Sequence, residues 1–309
     1  MIKRFFLGNQ KGTVLVLLVL AMSALAGFTA LVTDTGAVYL QRMRLSNALD
    51  SAVLAGIQEL PDNTQGALEM AAAYAQQNGG NVSEFSFTVD TDNNSISGHA
   101  NRQIGLFFAR ALGFNSTIVQ AEASARLAPI TSTGGVVPFG VLEDDFTFGE
   151  ETVMKEGIGD GPYRGWFGAL RLGGNGAHVY RDNIKYGYPG EVSIGDVIPI
   201  EPGNMSGPTR VGIDYRIGQC NHYPRCTIYS YVNGCPRILI VPIVNVQDIT
   251  SEGHPDSVRV VGFAAFLVQD CVGNGNENYV RGYFIRYVIP GSTGDSGADY
   301  GLYGAQLYE

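Results

Sequence analysis

The sequence is short of charge: only 16% of its 309 residues are Asp, Glu, Lys or Arg, where about 25% is ordinary for a soluble domain. Its apolar content of 45% excludes a disordered chain, which needs the opposite balance. Positive charge is the scarcer sign, with 20 Lys+Arg against 29 Asp+Glu and a pI near 4.9, which argues against a nucleic-acid footprint. Catalytic motifs are missing too. No H-E-x-x-H or G-x-S-x-G occurs, and only four histidines are present: His99, His178, His222 and His254. Glycine has no G-X-Y period, so a collagen helix is excluded. No repeat at a solenoid or propeller period is found.

Glycine is what the chain has in excess, and it is unevenly placed. Residues 1–130 carry 11 of the 41 glycines and residues 131–309 carry 30. Tyrosine follows the same division, with Tyr39 and Tyr74 early and the other 14 late. All four cysteines and Trp166 also fall in the second part. The Ser/Thr/Gly run after Pro129 predicts a linker or domain edge there.

Thr13 to Val32 is a 20-residue stretch without charge or proline. As a helix it rises about 30 Å, the thickness of a bilayer's hydrocarbon core. Lys3, Arg4 and Lys11 precede it. The positive-inside rule therefore puts the N-terminus in the cytoplasm and the bulk of the chain outside it. Beyond the span, 17 basic and 29 acidic residues leave a charge of −12. Ala24-Leu25-Ala26 has the small-x-small form of a signal cleavage site. The apolar run is longer than a signal core, and helical periodicity continues past it, so a retained anchor is expected. Asp34 to Leu60 contains no proline, and Val38, Leu45, Leu49, Ala52 and Gly56 recur on one helix face until Pro61. Ala48, Ala52, Ala55 and Gly56 make a small-residue packing face. It would serve either a partner helix or the chain's own domain.

The ordered set Gly12, apolar span, Asp34-x-Gly36-x-x-Tyr39-x-x-Arg42, then Leu45-x-Asn47-Ala48-x-Asp50-x-Ala52-x-Leu54-Ala55-Gly56 resembles the N-terminal segment of the TadG-like (TadE/TadG) proteins of Flp/Tad pilus assembly. The resemblance covers about 45 residues. It implies a membrane-anchored accessory or pseudopilin-like part of a pilus or secretion apparatus, with other pilus or platform proteins as partners. Ser51 stands where that family often has Ala. Prepilin processing uses Gly followed five residues later by Glu. Here Leu17 follows Gly12 and Thr13 follows Gly8 at that offset, which fits an uncleaved anchor. The D-x-S-x-S metal signature of von Willebrand A domains, which some longer TadG-like proteins resemble, is absent.

After Asp62-Asn63 as N-cap, Ala67 to Gln77 reads as a helix closed by Asn78-Gly79-Gly80. Phe85-x-Phe87-x-Val89 and Ser95 to Asn101 read as strands about an Asp92-Asn93-Asn94 turn. Asp90 to Ser95 has a faint calcium-loop composition but lacks the Gly and Glu such a loop needs, so a hairpin turn is expected. Ile104 to Leu112 predicts a short buried helix, and Thr117 to Leu127 alternates as a strand. The order α-β-β-α-β makes a small α+β module on the long helix.

Beyond residue 131, Ile238 to Val246, Val258 to Val268 and Tyr279 to Ile289 are apolar runs between Gly, Pro and Asn turns, as in an all-β domain. Pro242 argues for an edge strand or a bulge. Gly173-Gly174-Asn175-Gly176 could cradle an anion but lacks the Lys-Ser/Thr of a P-loop, so it reads as a plain loop. Glu143-Asp144-Asp145 and Glu150-Glu151 form an acidic patch, read as a solvated face over a calcium site. Glu201 to Thr209 is a dense turn segment with no evident chemistry.

Cys220-x-His222-x3-Cys226-x8-Cys235, with distant Cys271, is open to a zinc reading. Outside the cytoplasm an even cysteine count favours disulfides instead. Cys220–Cys226 and Cys235–Cys271 are the preferred pairs, with free thiols the remaining option.

The expected fold is a membrane-anchored α+β protein: a long N-terminal helix with a small α+β module, then a Gly/Tyr-rich mostly-β domain. The expected divisions are 1–12 cytoplasmic, 13–33 transmembrane, 34–130 helical extension and module, and 131–309 extracytoplasmic. The expected function is non-enzymatic, with no cofactor or metal, in contact with the bilayer and with pilus or secretion-platform proteins. The alternative is an anchored module for a glycan or surface ligand, using the late tyrosines and Trp166; an envelope hydrolase ranks last.

Overall fold

The computed structural model describes residues 11–92, 94–143, 148–155, 168–249, 255–273, 278–294 and 298–308. Trp166, His254, Asn93, Asp144, Asp145 and the residues expected on the cytoplasmic side before Lys11 lie outside them. The chain forms two compact units. One holds the residues through Ala125 together with those from Leu307; the other holds Arg126–Gln306.

In the first unit, α1 (Lys11–Gly56) is one unbroken helix of about 70 Å at 1.5 Å per residue. A 3-10 turn (Ile57–Glu59) and Pro61 end it. The second helix, α2 (Thr64–Gln77), begins at Asn63, whose Oδ1 accepts the Gly66 N–H at 2.9 Å. Strands β1 (Phe85–Asp90) and β2 (Ser95–Gly105) pair antiparallel from Phe85↔Ala100 to Asp90↔Ser95. The Asp92 N–H donates to Asp90 Oδ1 at 3.0 Å in the turn between them, so the segment is a hairpin. Strand β3 (Ser116–Thr133) follows, and the strand order is β1-β2-β3.

Helix α1 packs on α2 and β2 because its face is small. Ala48, Leu49, Ala52, Val53 and Ile57 are buried with Ala67, Ala71 and Ala75 of α2 and with Ile96 of β2. Gly56 makes the approach possible: a Cβ there would lie 2.7 Å from the Ala67 carbonyl oxygen and 2.9 Å from Ile96 Cδ1. Part-buried Arg102 ties the layers, donating to Glu84 at 2.7 Å and to Gln41 Oε1 at 3.3 Å. The Arg102 guanidinium holds the Glu84 carboxyl below its ordinary pKa, against the opposing effect of burial.

One expectation fails here. Ile104 to Leu112 is not a buried helix. β2 runs on to Gly105, and only Ala109–Leu112 turns as a 3-10 helix, closed by Gly113 at φ +94°. Phe107, Phe108, Leu112 and Phe114 are exposed. The apolar composition of the segment fits burial, but no element of the unit covers it.

The second unit is built on a sheet of order β4-β8-β9-β10-β5: β4 (Val141–Leu142), β5 (Glu151–Lys155), β8 (Ile238–Ile249), β9 (Pro255–Val272) and β10 (Tyr279–Ile285). β7 (Val197–Pro199) pairs beside β9. The end of β3 pairs with β6 (Val192–Ser193) and β12 (Ser292–Thr293), and β11 (Tyr287–Val288) runs parallel to β13 (Leu302–Tyr308). Two helices absent from the sequence reading, α3 (Ala177–Tyr186) and α4 (Ser206–Gly218), pack on each other. A Cβ at Gly212 would lie 2.6 Å from Ile184 Cγ2, so their approach also requires glycine.

Both faces of the β8–β9 pair are covered, which explains the uninterrupted apolar runs. Leu239, Val241, Ala264, Phe266 and Val268 face a core with Tyr180, Ile184 and Ile213 of the helices. Ile238, Val258, Val260, Phe263, Ala265 and Leu267 face a second core with Ile130, Val192 and Leu302. Pro242 sits opposite Phe263, beside a register shift at Ile243/Val244, the bulge its missing N–H suggests. Pro129 to Thr133 is strand rather than linker, and the units divide earlier, between Ala125 and Arg126.

Candidate functional site

Two features stand out, and each is built from neighbouring residues. The first is the exposed part of α1. From Val14 to Val32 every large apolar side chain is at least half exposed, so no described residue of its own unit covers the span. The helix is long and apolar enough to cross a membrane. Its hydroxyls are satisfied internally: Ser23 donates to Val19 O, Thr29 to Leu25 O, Thr33 to Thr29 O and Thr35 to Leu31 O, at 2.7–2.9 Å. Such back-bonding spares an apolar solvent any unmet donor.

Asp34 closes the span and is buried. Its carboxylate accepts the amides of Phe107 (2.8 Å), Phe108 (3.1 Å) and Ala109 (2.8 Å), so the loop after β2 is pinned to α1 at that residue. Burial would raise the Asp34 pKa. The Ala109, Phe107 and Phe108 amides, aided by nearby Arg110, outweigh it and hold the carboxyl low. The other motif residues divide. Gly12 and Gly36 have no heavy atom within 4 Å of a built Cβ, and Tyr39, Arg42 and Asn47 are exposed on the helix. Asp50 is half-buried, and that burial raises its pKa. Ala48, Ala52 and Gly56 are buried against the chain's own α2 and β2, with Ala55 partly so. The small-residue face is therefore occupied within the unit, as is Leu45 one turn earlier, whereas the large apolar side chains from Val14 to Val32 and those of Tyr39, Leu40 and Met43 remain exposed.

The second feature is a cysteine–histidine cluster on the segment joining α4 to β8. The expected disulfides are not formed. Cys235 lies beside Cys220, with sulfurs 3.6 Å apart, whereas Cys271 donates to Asn278 Oδ1 at 3.4 Å. The preferred Cys235–Cys271 pair fails because the two side chains belong to different cores, one on each face of the sheet. Cys220 and Cys226 are also not bonded to each other. Instead His222 Nδ1 lies 3.3 Å from Cys226 Sγ and 3.7 Å from Cys220 Sγ. One ligand atom from each of Cys220, His222, Cys226 and Cys235 lies within 4.8 Å of all the others.

Neighbours hold this segment in place. Buried Arg237 donates to Cys226 O (2.7 Å) and Val268 O (2.9 Å), and the Gly234 N–H donates to the Tyr287 hydroxyl at 2.6 Å. Burial opposes the Cys220 thiolate, but the Cys226 amide and the His222 ring and amide outweigh it and bring its pKa to about 6. Burial pushes the Cys235 thiol up to about 12. The sequence had offered this ligand set only as the weaker alternative to disulfides.

The remaining candidates are accounted for structurally. The glycine loop does cradle an anion, but the anion is internal. Glu201 accepts the Gly176 N–H (3.2 Å) and Arg171 Nε (3.1 Å). Glu201 thereby joins the dense turn segment to the start of α3. Glu143 accepts from Tyr300 (2.7 Å) and Asn245 (3.0 Å), and Glu151 lies 3.6 Å from Arg281, so these two members of the acidic patch are engaged within the unit, while Glu150 is exposed. His99 pairs with Glu122 and His178 with Asp182. The helix α4 carried a signal in sequence, since Thr209, Ile213 and Arg216 recur at helical spacing.

A long apolar helix that leads without a break into a small α+β unit gives the N-terminal part the form of a membrane-anchor segment. Residues 12–76 match the Tad family model, described as "Putative Flp pilus-assembly TadE/G-like". The N-terminal segment is thus TadE/G-like, and the match does not extend over the rest of the chain. The comparison with curated proteins finds no match, and neither does the comparison with solved structures.

Proposed function

We propose that this protein is a single-pass, non-enzymatic component of an Flp/Tad-type pilus or secretion assembly. The observation that carries the reading is the TadE/G-like match over residues 12–76, coinciding with a helix whose apolar half is exposed among the described residues. Lys3, Arg4 and Lys11 keep the N-terminus cytoplasmic, and the unit Arg126–Gln306 faces outward as an interaction domain. Lateral packing uses the uncovered side of α1. Tyr39 and Asn47 belong to the family motif yet are exposed, and a Cβ at Gly36, another motif residue, would meet no heavy atom within 4 Å. A partner helix can approach closely at Gly36, which has no side chain and free space where a Cβ would stand.

The test uses cells carrying the cognate pilus genes. Deleting the chain is expected to abolish pilus assembly. Gly36→Leu and Tyr39→Ala are expected to keep protein levels while losing co-purification of pilus proteins. Protease added outside intact spheroplasts should degrade the C-terminal domain and spare an N-terminal tag. Unimpaired pilus assembly in the deletion strain would refute the function, and a protected C-terminal domain would refute the orientation.

A further inference from the structure

We propose that Cys220, His222, Cys226 and Cys235 bind one zinc ion that fastens the segment between α4 and β8. The first argument is metric. A tetrahedral zinc with Zn–S of about 2.3 Å and Zn–N of about 2.05 Å has S···S edges of about 3.8 Å and S···N edges of about 3.6 Å. The cluster has an S···S separation of 3.6 Å and S···N separations of 3.3 and 3.7 Å. These three edges match such a tetrahedron and all four ligand atoms lie within 4.8 Å of one another, whereas a disulfide would need sulfurs about 2.05 Å apart.

The second argument is charge. Arg237 is buried, and the hydrogen bonds its guanidinium shows among the described residues run to the carbonyls of Cys226 and Val268. A buried cation needs a nearby anion. Zinc with three thiolates and a neutral imidazole carries a net charge of −1, and Arg237 holds the backbone of one of its ligands.

The third argument is local structure. From 219 to 237 the chain has only turns and one Thr227↔Ser230 bridge, an uncommon length without an element inside a compact unit. Yet Cys226 and Cys235 are at most 3% exposed and belong to the core. A closed set of four protein ligands leaves no position for substrate, so the role is structural.

The test is made on the full chain purified in detergent under anaerobic, reducing conditions. Elemental analysis should find about one zinc per chain. Replacement by cobalt should produce thiolate-to-metal charge-transfer absorption and the visible bands of tetrahedral Co²⁺, with no variant needed. Cys226→Ser and Cys235→Ser should lose the metal, while His222→Cys and Cys271→Ser should keep it. Reduced wild-type chain that takes up neither zinc nor cobalt would overturn the proposal. So would metal retained by both ligand variants, or a native Cys220–Cys235 disulfide with no zinc.

A separate observation carries a second inference, which rests on the anchoring reading. We infer that the loop from Leu106 to Asn115 dips into the bilayer interface beside the helix. Phe107, Phe108, Leu112 and Phe114 are 50–79% exposed, an apolar patch that a soluble surface seldom tolerates. Asp34 holds this loop by three amides directly after the end of the span at 33. The patch thus continues the surface that meets lipid, at headgroup depth, where aromatic side chains concentrate.

Single tryptophans in a Trp166→Phe background test this in vesicles with brominated lipids. Leu20→Trp should be quenched by bromines deep in the acyl chains, and Leu112→Trp by bromines near the headgroup. Quenching at 20 without quenching at 112 sinks the loop proposal alone. No quenching at either position sinks the anchor itself.

Discussion

Adding one methyl group to either of two glycines of α1 should have opposite effects. At Gly36 a Cβ meets no heavy atom within 4 Å, so Gly36→Ala gains helix propensity without a clash, up to about 1 kcal/mol. At Gly56 the helical φ of −61° equally permits alanine. There, however, the Cβ would lie 2.7 Å from the Ala67 carbonyl oxygen, 2.9 Å from Ile96 Cδ1 and 3.1 Å from Ala71 Cβ. The nearest atom is backbone of a packed helix and cannot rotate away. Overpacking of this kind costs about 1–3 kcal/mol, and the propensity gain at the last residue of a helix offsets less than about 1. The expected net loss for Gly56→Ala is about 1–2 kcal/mol. At about 4–8 °C per kcal/mol for a unit of this size, the first unit's melting transition should fall by roughly 4–16 °C. Calorimetry of the full chain in detergent reads the shift, and hydrogen exchange over residues 45–75 assigns it to the α1–α2 contact. A Gly56→Ala variant as stable as wild type would refute the packing argument. So would a Gly36→Ala variant destabilised to the same degree.

Asp34→Ala should speed hydrogen exchange at the 107–109 amides while leaving α1 helical, and unchanged exchange there would dismiss the cap. Acid should act in the same direction. The folded carboxyl has the lower pKa, so its contribution is complete above the unfolded value near 3.9 and is lost as pH falls through the folded value. Loop protection should therefore survive at pH 5 and disappear in stronger acid. Arg237→Leu removes donors from two buried carbonyls and should cost roughly 2–4 kcal/mol. Thermal melting of the second unit should register this as a drop of about 4–16 °C, and an unchanged transition would show that those carbonyls find other donors.

Legibility in the sequence followed the range of the forces involved. The hairpin 85–105 and the helix after Asn63 were readable because alternation, caps and turn residues are local. The exposed loop at 104–112 was misread because periodicity reports apolar content and not whether another element arrives to cover it. Helices α3 and α4 are hard to read in sequence because glycine and polar residues interrupt their short periodic sets, such as Thr209, Ile213 and Arg216 of α4. Gly212 is there for its contact with Ile184, a residue distant in sequence.

The cysteines make the same point at the candidate site. Spacing alone left disulfides, free thiols and a metal open, and the pairing preference followed from compartment and count. The fold decided by placing Cys271 on one face of the sheet and the other three on the opposite face. The glycine run 173–176 was read as a plain loop, and only folding brought Glu201 to it.

The sequence by itself determined the apolar span, its basic flank, the unbroken helix to Gly56 and the mostly-β character of the second half. Each is written in residues adjacent along the chain, through hydropathy, charge and periodicity. Tertiary structure alone decided that Ala48, Ala52 and Gly56 serve the unit's own core and leave Tyr39 and Leu40 exposed. It alone assembled three cysteines and a histidine around one point. Those outcomes depend on which elements meet, and that is set by packing between segments far apart in sequence.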